Sequence, residues 1–135
     1  MERQNISTGT SWEKSVGYSR AVRLGPHVWV AGTTALDGTG QVVGEGDAYT
    51  QTAYILQKIG GALGQAGATL SDVVRTRIFV TDVSLCEAVG QAHGEVFADI
   101  RPASTMVAVR ALVAPEMLVE IEADAFIREP GQEPR

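Results

Sequence analysis

RPASTMVAVRALVAPEMLVEIEADAF, Arg101 to Phe126, is the stretch on which the fold turns. It reads as two strands joined by a short loop. In Ser104–Ala111, the residues Thr105, Val107, Val109 and Ala111 alternate with Ser104, Met106, Ala108 and Arg110. In Leu118–Phe126, Val119, Ile121, Ala123 and Ala125 alternate with Glu120, Glu122 and Asp124. A period of two places alternate residues on opposite faces of a sheet. The second strand therefore has an apolar face and a face with three acids in a row. That acidic face must meet water, cations or a site.

Working outward, the same logic yields a compact set of elements. Tyr18–Leu24 and Val28–Gly32, separated by the turn signal Gly25-Pro26, read as a hairpin. The segment DGTGQVVGEG, Asp37 to Gly46, is a loop without Walker spacing or a following lysine. Asp47 suits an N-cap, and Tyr49, Ala53, Leu56, Ile59, Gly60 and Leu63 share a helical stripe ending near Ala66, with Gly67 as C-cap. Val73–Thr81 is a further strand. Ser84 with Glu87 has the capping-box spacing, opening a second helix whose stripe is Leu85, Val89, Ala92 and Val96. The polar residues Met1–Glu13 form an arm ordered only by docking, and Glu129–Arg135 a frayed tail.

The order is strand, strand, helix, strand, helix, strand, strand, an α+β domain spanning the 135 residues with its core at about 15–128. Two helices cover only one face of such a sheet. The helix side is expected to hold Val74, Ile78, Val107, Val109, Ile121 and Ala123. The other side is expected to hold Arg75, Arg77, Phe79, Met106, Glu120 and Glu122. This second face mixes charge with Phe and Met, which suits neither bulk water nor a core. Packing against other copies of the chain is the economical expectation.

Composition narrows the function. Hydrophobic residues make up 44%, ordinary for a globular protein, and no apolar run reaches the roughly 20 residues of a membrane span. The N-terminus lacks an apolar signal region and Cys86 is the single cysteine, so a cytoplasmic protein without an intrachain disulfide is expected. The net charge of −5 argues against a nucleic-acid partner, which calls for a basic footprint. Two histidines, His27 and His93, with no HxH or HxxxH spacing argue against a metal site.

The x-P-A-x-[ST] segment, the V-x-V run and VEIEA together resemble the C-terminal signature of the Rid/YjgF family, the reactive intermediate deaminases. Gly17-Tyr18-Ser19, Leu24-Gly25 and Val30-Ala31-Gly32 resemble its N-terminal hairpin; Asp72–Thr76 and Phe79–Asp82 resemble its middle strand. The resemblance spans about Ser15–Arg128. It implies a chorismate-mutase-like α+β fold, a homotrimer, and clefts between subunits for a small organic acid, carbonyl or imine, with no cofactor. It also implies roles. Glu120 matches the glutamate that holds the attacking water, Tyr18 a pocket-lining tyrosine, and Gly32 a glycine that lets backbone approach the ligand.

Three positions depart from the family pattern. Ser104 stands where deaminating members carry the arginine that clamps the substrate carboxylate. Met106 replaces a cysteine and Gly90 an asparagine. A serine hydroxyl cannot replace a bidentate guanidinium. The backbone amides around Thr105 and Met106 remain able to hold a carbonyl or carboxylate. Arg77 and Arg101 are alternative cations. Each also has a plainer reading: Arg77 paired with the acidic row, Arg101 a surface charge, Glu120 bridged to Arg75 or Arg77, and Tyr18 a half-buried surface aromatic. Hydrolysis of imines or enamines, ligand binding without catalysis and, less favoured, RNA cleavage stand as the functional expectations.

Overall fold

The structure, a computed structural model, describes residues 2–129. Six strands form one sheet: β1 (Arg3–Ile6), β2 (Ala21–Leu24), β3 (His27–Thr33), β4 (Val73–Val80), β5 (Ala103–Ala108) and β6 (Val119–Phe126). Their spatial order is β1-β2-β3-β6-β4-β5. Two main helices, α1 (Ala48–Gln65) and α2 (Cys86–Phe97), connect β3 to β4 and β4 to β5. The β4–β5 pair is parallel and the other neighbours are antiparallel. The last strand is thus inserted between two earlier ones and ties the hairpin to the β4–β5 unit.

The alternation expected of β6 is present. Val119, Ile121, Ala123 and Ala125 are buried, while Glu120, Glu122 and Asp124 lie on the other face. The core of α1 is Ile55, Leu56, Ile59 and Leu63, packed with Val28, Ile78 and Ile121. Burial of each such side chain is worth about 1.5–3 kcal/mol. Its buried stripe also includes Gln51 and Thr52, whereas Tyr49 and Ala53 face outward. Gln51 is accommodated because its amide donates to the Gly44 and Glu116 carbonyls and accepts from the Leu118 amide. Asp47 caps α1 as expected, accepting from the Thr50 amide at 3.1 Å.

Several expectations are corrected. A bulge between β4 and β6 adds one residue, so Val73 is buried and Val74 is 52% exposed. Beyond the bulge, Thr76, Ile78 and Val80 are buried as a set. In β5 the faces are opposite to those expected. Met106 lies beside Ile78 against the core, while Val107 lies beside Phe79 on the open face and is 44% exposed. Strand β5 is the sheet edge and ends at Ala108, so Val109 lies beyond it. At an edge, Val carries little information about which face is inward, because either face is reachable by water.

The start of α2 is likewise different. Asp82 accepts from the Ser84 amide at 2.8 Å and opens a short 3-10 turn before Cys86, and no Ser84–Glu87 capping box forms. The expected N-terminal arm is instead built into the domain: Arg3–Ile6 pairs with β2. It leads to a π-helical turn at Glu13–Gly17. The tail expected from Glu129 lies, beyond that first residue, outside the described residues.

Glu13 holds this N-terminal segment together. Burial by itself raises its pKa, but hydrogen bonds from Thr8, Ser7 and Thr10 outweigh burial and hold it at about 2. The Thr8 hydroxyl donates to Oε2 at 2.5 Å and the Thr10 hydroxyl at 3.0 Å. A depressed carboxylate pKa contributes stability that is present above the ordinary glutamate range and is lost as pH falls toward about 2. Hydrogen exchange at the Thr8 amide is therefore expected to accelerate between neutral pH and pH about 2, after correction for intrinsic rates. Glu13→Gln should flatten that dependence; an unchanged acid profile in the variant would refute the assignment.

Candidate functional site

The site begins with a second bulge, in β3. Val30 pairs with Ala123 and Thr33 with Ile121, so β3 carries one extra residue across this step. Gly32 falls within it. A Cβ placed there would lie 2.1 Å from Glu120 Oε2, so only a bare Cα leaves room for that carboxylate. The sequence thus places a long acid on β6 and removes the side chain facing it on β3.

The neighbouring cation is Arg20, immediately before β2. Its Nη2 donates to the Gly32 carbonyl at 2.7 Å, and its guanidinium carbon sits 5.8 Å from the centre of the Tyr18 ring. Tyr18 and Arg20, two apart in an extended segment, share a face. Tyr18, Arg20, Gly32 and Glu120 therefore form one linked group. Glu120 is half-buried. Burial raises its pKa first and foremost; the Arg20 charge opposes the rise and the Glu122 charge adds to it. The expected bridge from Glu120 to Arg75 or Arg77 is not formed among the described residues.

Arg77 takes its plainer role. Its Nη1 contacts Glu122 at 3.2 Å and Asp124 at 3.3 Å, using the other two acids of β6. Thr105 lies beside Arg77 on the same open face and is exposed. Arg101 is exposed, with a left-handed backbone at φ 55°, and its amide closes α2 by donating to the Phe97 carbonyl at 2.7 Å. It is not linked to Glu120 by any hydrogen bond or ion pair among the described residues.

Ser104 and Met106 point to the helix side. Ser104 Oγ lies 2.8 Å from Thr76 Oγ, which lies 2.9 Å from His93 Nε2 on α2. The predicted residues are thus split. Tyr18, Gly32 and Glu120 come together in this subunit; Ser104 and Met106 belong to the β5–α2 edge. Residues that the sequence by itself did not single out are Arg20 beside Glu120, and Thr76 and His93 beside Ser104. The i, i+2 spacing of Tyr18 and Arg20 was the available signal for the first.

The open face of the sheet is apolar as well as charged. Trp29, Leu24, Phe126 and Val107 are exposed there. His27 stacks on Trp29 at 5.5 Å and meets Phe126 edge-on at 5.1 Å. A groove on this face is lined by Tyr18, Trp29, Arg77, Glu122 and Asp124. Among the described residues no three His, Cys, Asp or Glu side chains are grouped to hold a metal ion. No helix is long and apolar enough to cross a membrane.

Comparison with known proteins places this geometry. Residues 8–127 match the family model described as Endoribonuclease L-PSP. The chain belongs to the Rid/YjgF family. Rv2704 of Mycobacterium tuberculosis, described as a member of the YjgF/YER057c/UK114 family, is 54% identical with a TM-score of 0.86, covering 93% of this chain and all of that one. RidA from an Antarctic Psychrobacter is 27% identical with a TM-score of 0.77, covering 91% and 94%. The 3-aminoacrylate deaminase RutC of Acinetobacter baylyi is 37% identical over 110 residues, 82% of this chain and 86% of its own. The sheet with two main helices is the arrangement of these Rid/YjgF structures.

Two substitutions test the electrostatics of the site. Arg20→Gln removes the charge that opposes the effect of burial, so the Glu120 pKa is expected to rise further. Gly32→Ala displaces the carboxylate, costs about 1–3 kcal/mol through overpacking and lets water reach Glu120, which should lower its pKa. Carboxyl-carbon NMR titration reads both. A Glu120 pKa unmoved by either substitution would refute the linkage.

Proposed function

We propose that this chain acts as a single Rid-type domain in a homotrimer, with a cleft between subunits that hydrolyses small imines or enamines to carbonyl compounds and ammonia. The reading rests above all on Glu120: a half-buried carboxylate with a raised pKa, given room by Gly32 and left out of the salt bridges that engage its two neighbours. Family membership and the 37% identity to a 3-aminoacrylate deaminase support it.

The chemistry follows from that environment. Water adds to the carbon of the C=N bond while the Glu120 carboxylate accepts its proton. Glu120 then passes two protons to the nitrogen in turn, first the one taken from water and then that of the new hydroxyl, so the C–N bond breaks and ammonia leaves as the carbonyl forms. Both forms of Glu120 are needed in one cycle, and a raised pKa brings them closer in energy near neutrality. An enamine enters the same path after tautomerising. Tyr18 forms a wall of the cleft, and backbone amides near Thr105 and Met106 hold the ligand's oxygen. Arg77, committed to Glu122 and Asp124, and Arg101, committed by its backbone to α2, are not assigned ligand contacts.

Trimer formation draws on the open sheet face, where Trp29, Phe126 and Val107 are exposed together. Exposed aromatic and aliphatic side chains among paired charges suit a surface closed by a partner. Ser104 in place of the clamping arginine supports a second reading, in which the same cleft binds a ligand without turning it over.

In an assay coupling a threonine dehydratase to ketoacid release, the chain is expected to accelerate release, and Glu120→Gln to reduce the acceleration by about 10²-fold or more. Binding of a ketoacid with no acceleration would favour the non-catalytic reading. Sedimentation at low micromolar concentration should give three times the 14.3 kDa chain mass, and Trp29→Glu should dissociate it. A monomer in dilute solution would refute the intersubunit cleft.

A further inference from the structure

The β3 bulge that leaves room for Glu120 must also satisfy its own backbone. Between Val30 and Thr33 the strand departs from the regular ladder with β6, and after Thr33 it leaves the sheet. Carbonyls in such a stretch need donors from elsewhere. The Thr33 hydroxyl donates to the Ala31 carbonyl at 2.8 Å, and Arg20 Nη2 to that of Gly32 at 2.7 Å. The Val43 amide donates to the Ala35 carbonyl at 2.8 Å. Lys58 Nζ, reaching across from α1, donates to the carbonyls of Thr34 at 2.9 Å and Leu36 at 2.7 Å.

A lysine is not the obvious residue for that place. Lys58 lies between the buried residues Leu56 and Ile59 on α1 and is itself half-buried. Burial, and then the nearby charge of Arg20, lower its pKa, and Asp37 opposes them. No carboxylate comes within ion-pair distance of its ammonium among the described residues. An ammonium drawn out of water without a counter-ion is held by what it bonds, and here it bonds two carbonyls of the β3 exit. A methionine would fill the same space without that desolvation and leave both carbonyls without this donor.

Arg20 and Lys58 thus grip the alternate carbonyls of Gly32, Thr34 and Leu36 along one segment. Arg20 holds the bulge, and Lys58 the chain just beyond it. The Gly32 end is the one that matters to Glu120. A Cβ on Gly32 would stand 2.1 Å from Glu120 Oε2, so a small backbone shift there either closes the space or opens it to water. The charges acting on Glu120 are those of Arg20 and Glu122. Lys58 therefore reaches Glu120 through the backbone of the β3 exit.

We propose that Lys58 is a positioning residue for Glu120, pinning the exit of β3 to α1 so that Gly32 stays opposite that carboxylate. The assignment rests on the Glu120 reading above and adds a residue to the same site. Lys58 touches no ligand; its effect is to fix the backbone that shapes the space around Glu120.

The test is carboxyl-carbon NMR titration of Glu120 in the full-length protein, with Lys58→Met and Lys58→Arg. In Lys58→Met the exit loosens, water reaches Glu120, and its raised pKa should fall toward the ordinary glutamate range. Loss of a positive charge acting directly would instead raise it, so the sign separates positioning from electrostatics. Lys58→Arg can still donate to both carbonyls and should keep the Glu120 pKa of the unaltered protein. Hydrogen exchange at the Val43 amide should quicken by about 10-fold in Lys58→Met, the equivalent of one lost hydrogen bond. Once Gly32→Ala has displaced the carboxylate, adding Lys58→Met should shift the pKa little further, because both act on one space. A Glu120 pKa that is unmoved or raised in folded Lys58→Met would overturn the proposal. If that variant does not fold, Lys58→Gln, which keeps a donor for one carbonyl, is read by the same criterion. In the ketoacid-release assay, Lys58→Met should lower kcat with little change in KM. If the unaltered protein gives no acceleration while Lys58→Met still lowers the Glu120 pKa, the hydrolytic reading falls and the positioning role stands.

Discussion

The structure depends on the insertion of β6 between β3 and β4. This strand buries Val119, Ile121, Ala123 and Ala125 under the helices and so joins two halves of the chain into one core. The period of two then obliges Glu120, Glu122 and Asp124 to share the opposite face. Burial on one side and acidity on the other are a single constraint, because neither can be altered without shifting the register of the other.

The three acids nonetheless meet different fates, and backbone irregularity decides them. Glu122 and Asp124 face the regular part of β4 and take Arg77 between them. Glu120 faces the bulged part of β3, where a glycine leaves space and the nearest cation is Arg20, held by the Gly32 carbonyl. One extra residue in β3 thus separates a half-buried carboxylate with a raised pKa from two that serve as salt-bridge partners. Bulges commonly re-aim side chains at sites in this way.

The other edge of the sheet carries a different chemistry. There a serine is tied to a buried threonine and a histidine on α2.

Much was already legible in the residues themselves. The alternation of β6, the Asp47 cap, the two helices on one face and the family of the chain follow from spacing and motif, because these are set by local periodicity and short-range hydrogen bonds. Tyr18, Gly32 and Glu120 could be singled out by motif. What periodicity could not supply was phase across an irregularity: the bulges at Val74 and Gly32 each shift which residue faces inward, and a bulge is defined by the partner strand as much as by its own. The face of β5 was misread for a related reason, since an edge strand is weakly buried on either side and its Val and Met do not declare the core. The approach of Arg20 to Glu120, and the joining of Ser104 with Thr76 and His93, bring together residues remote in sequence. Only tertiary contact decides such pairs, because the energy that selects them lies in desolvation and hydrogen-bond geometry rather than in any single residue.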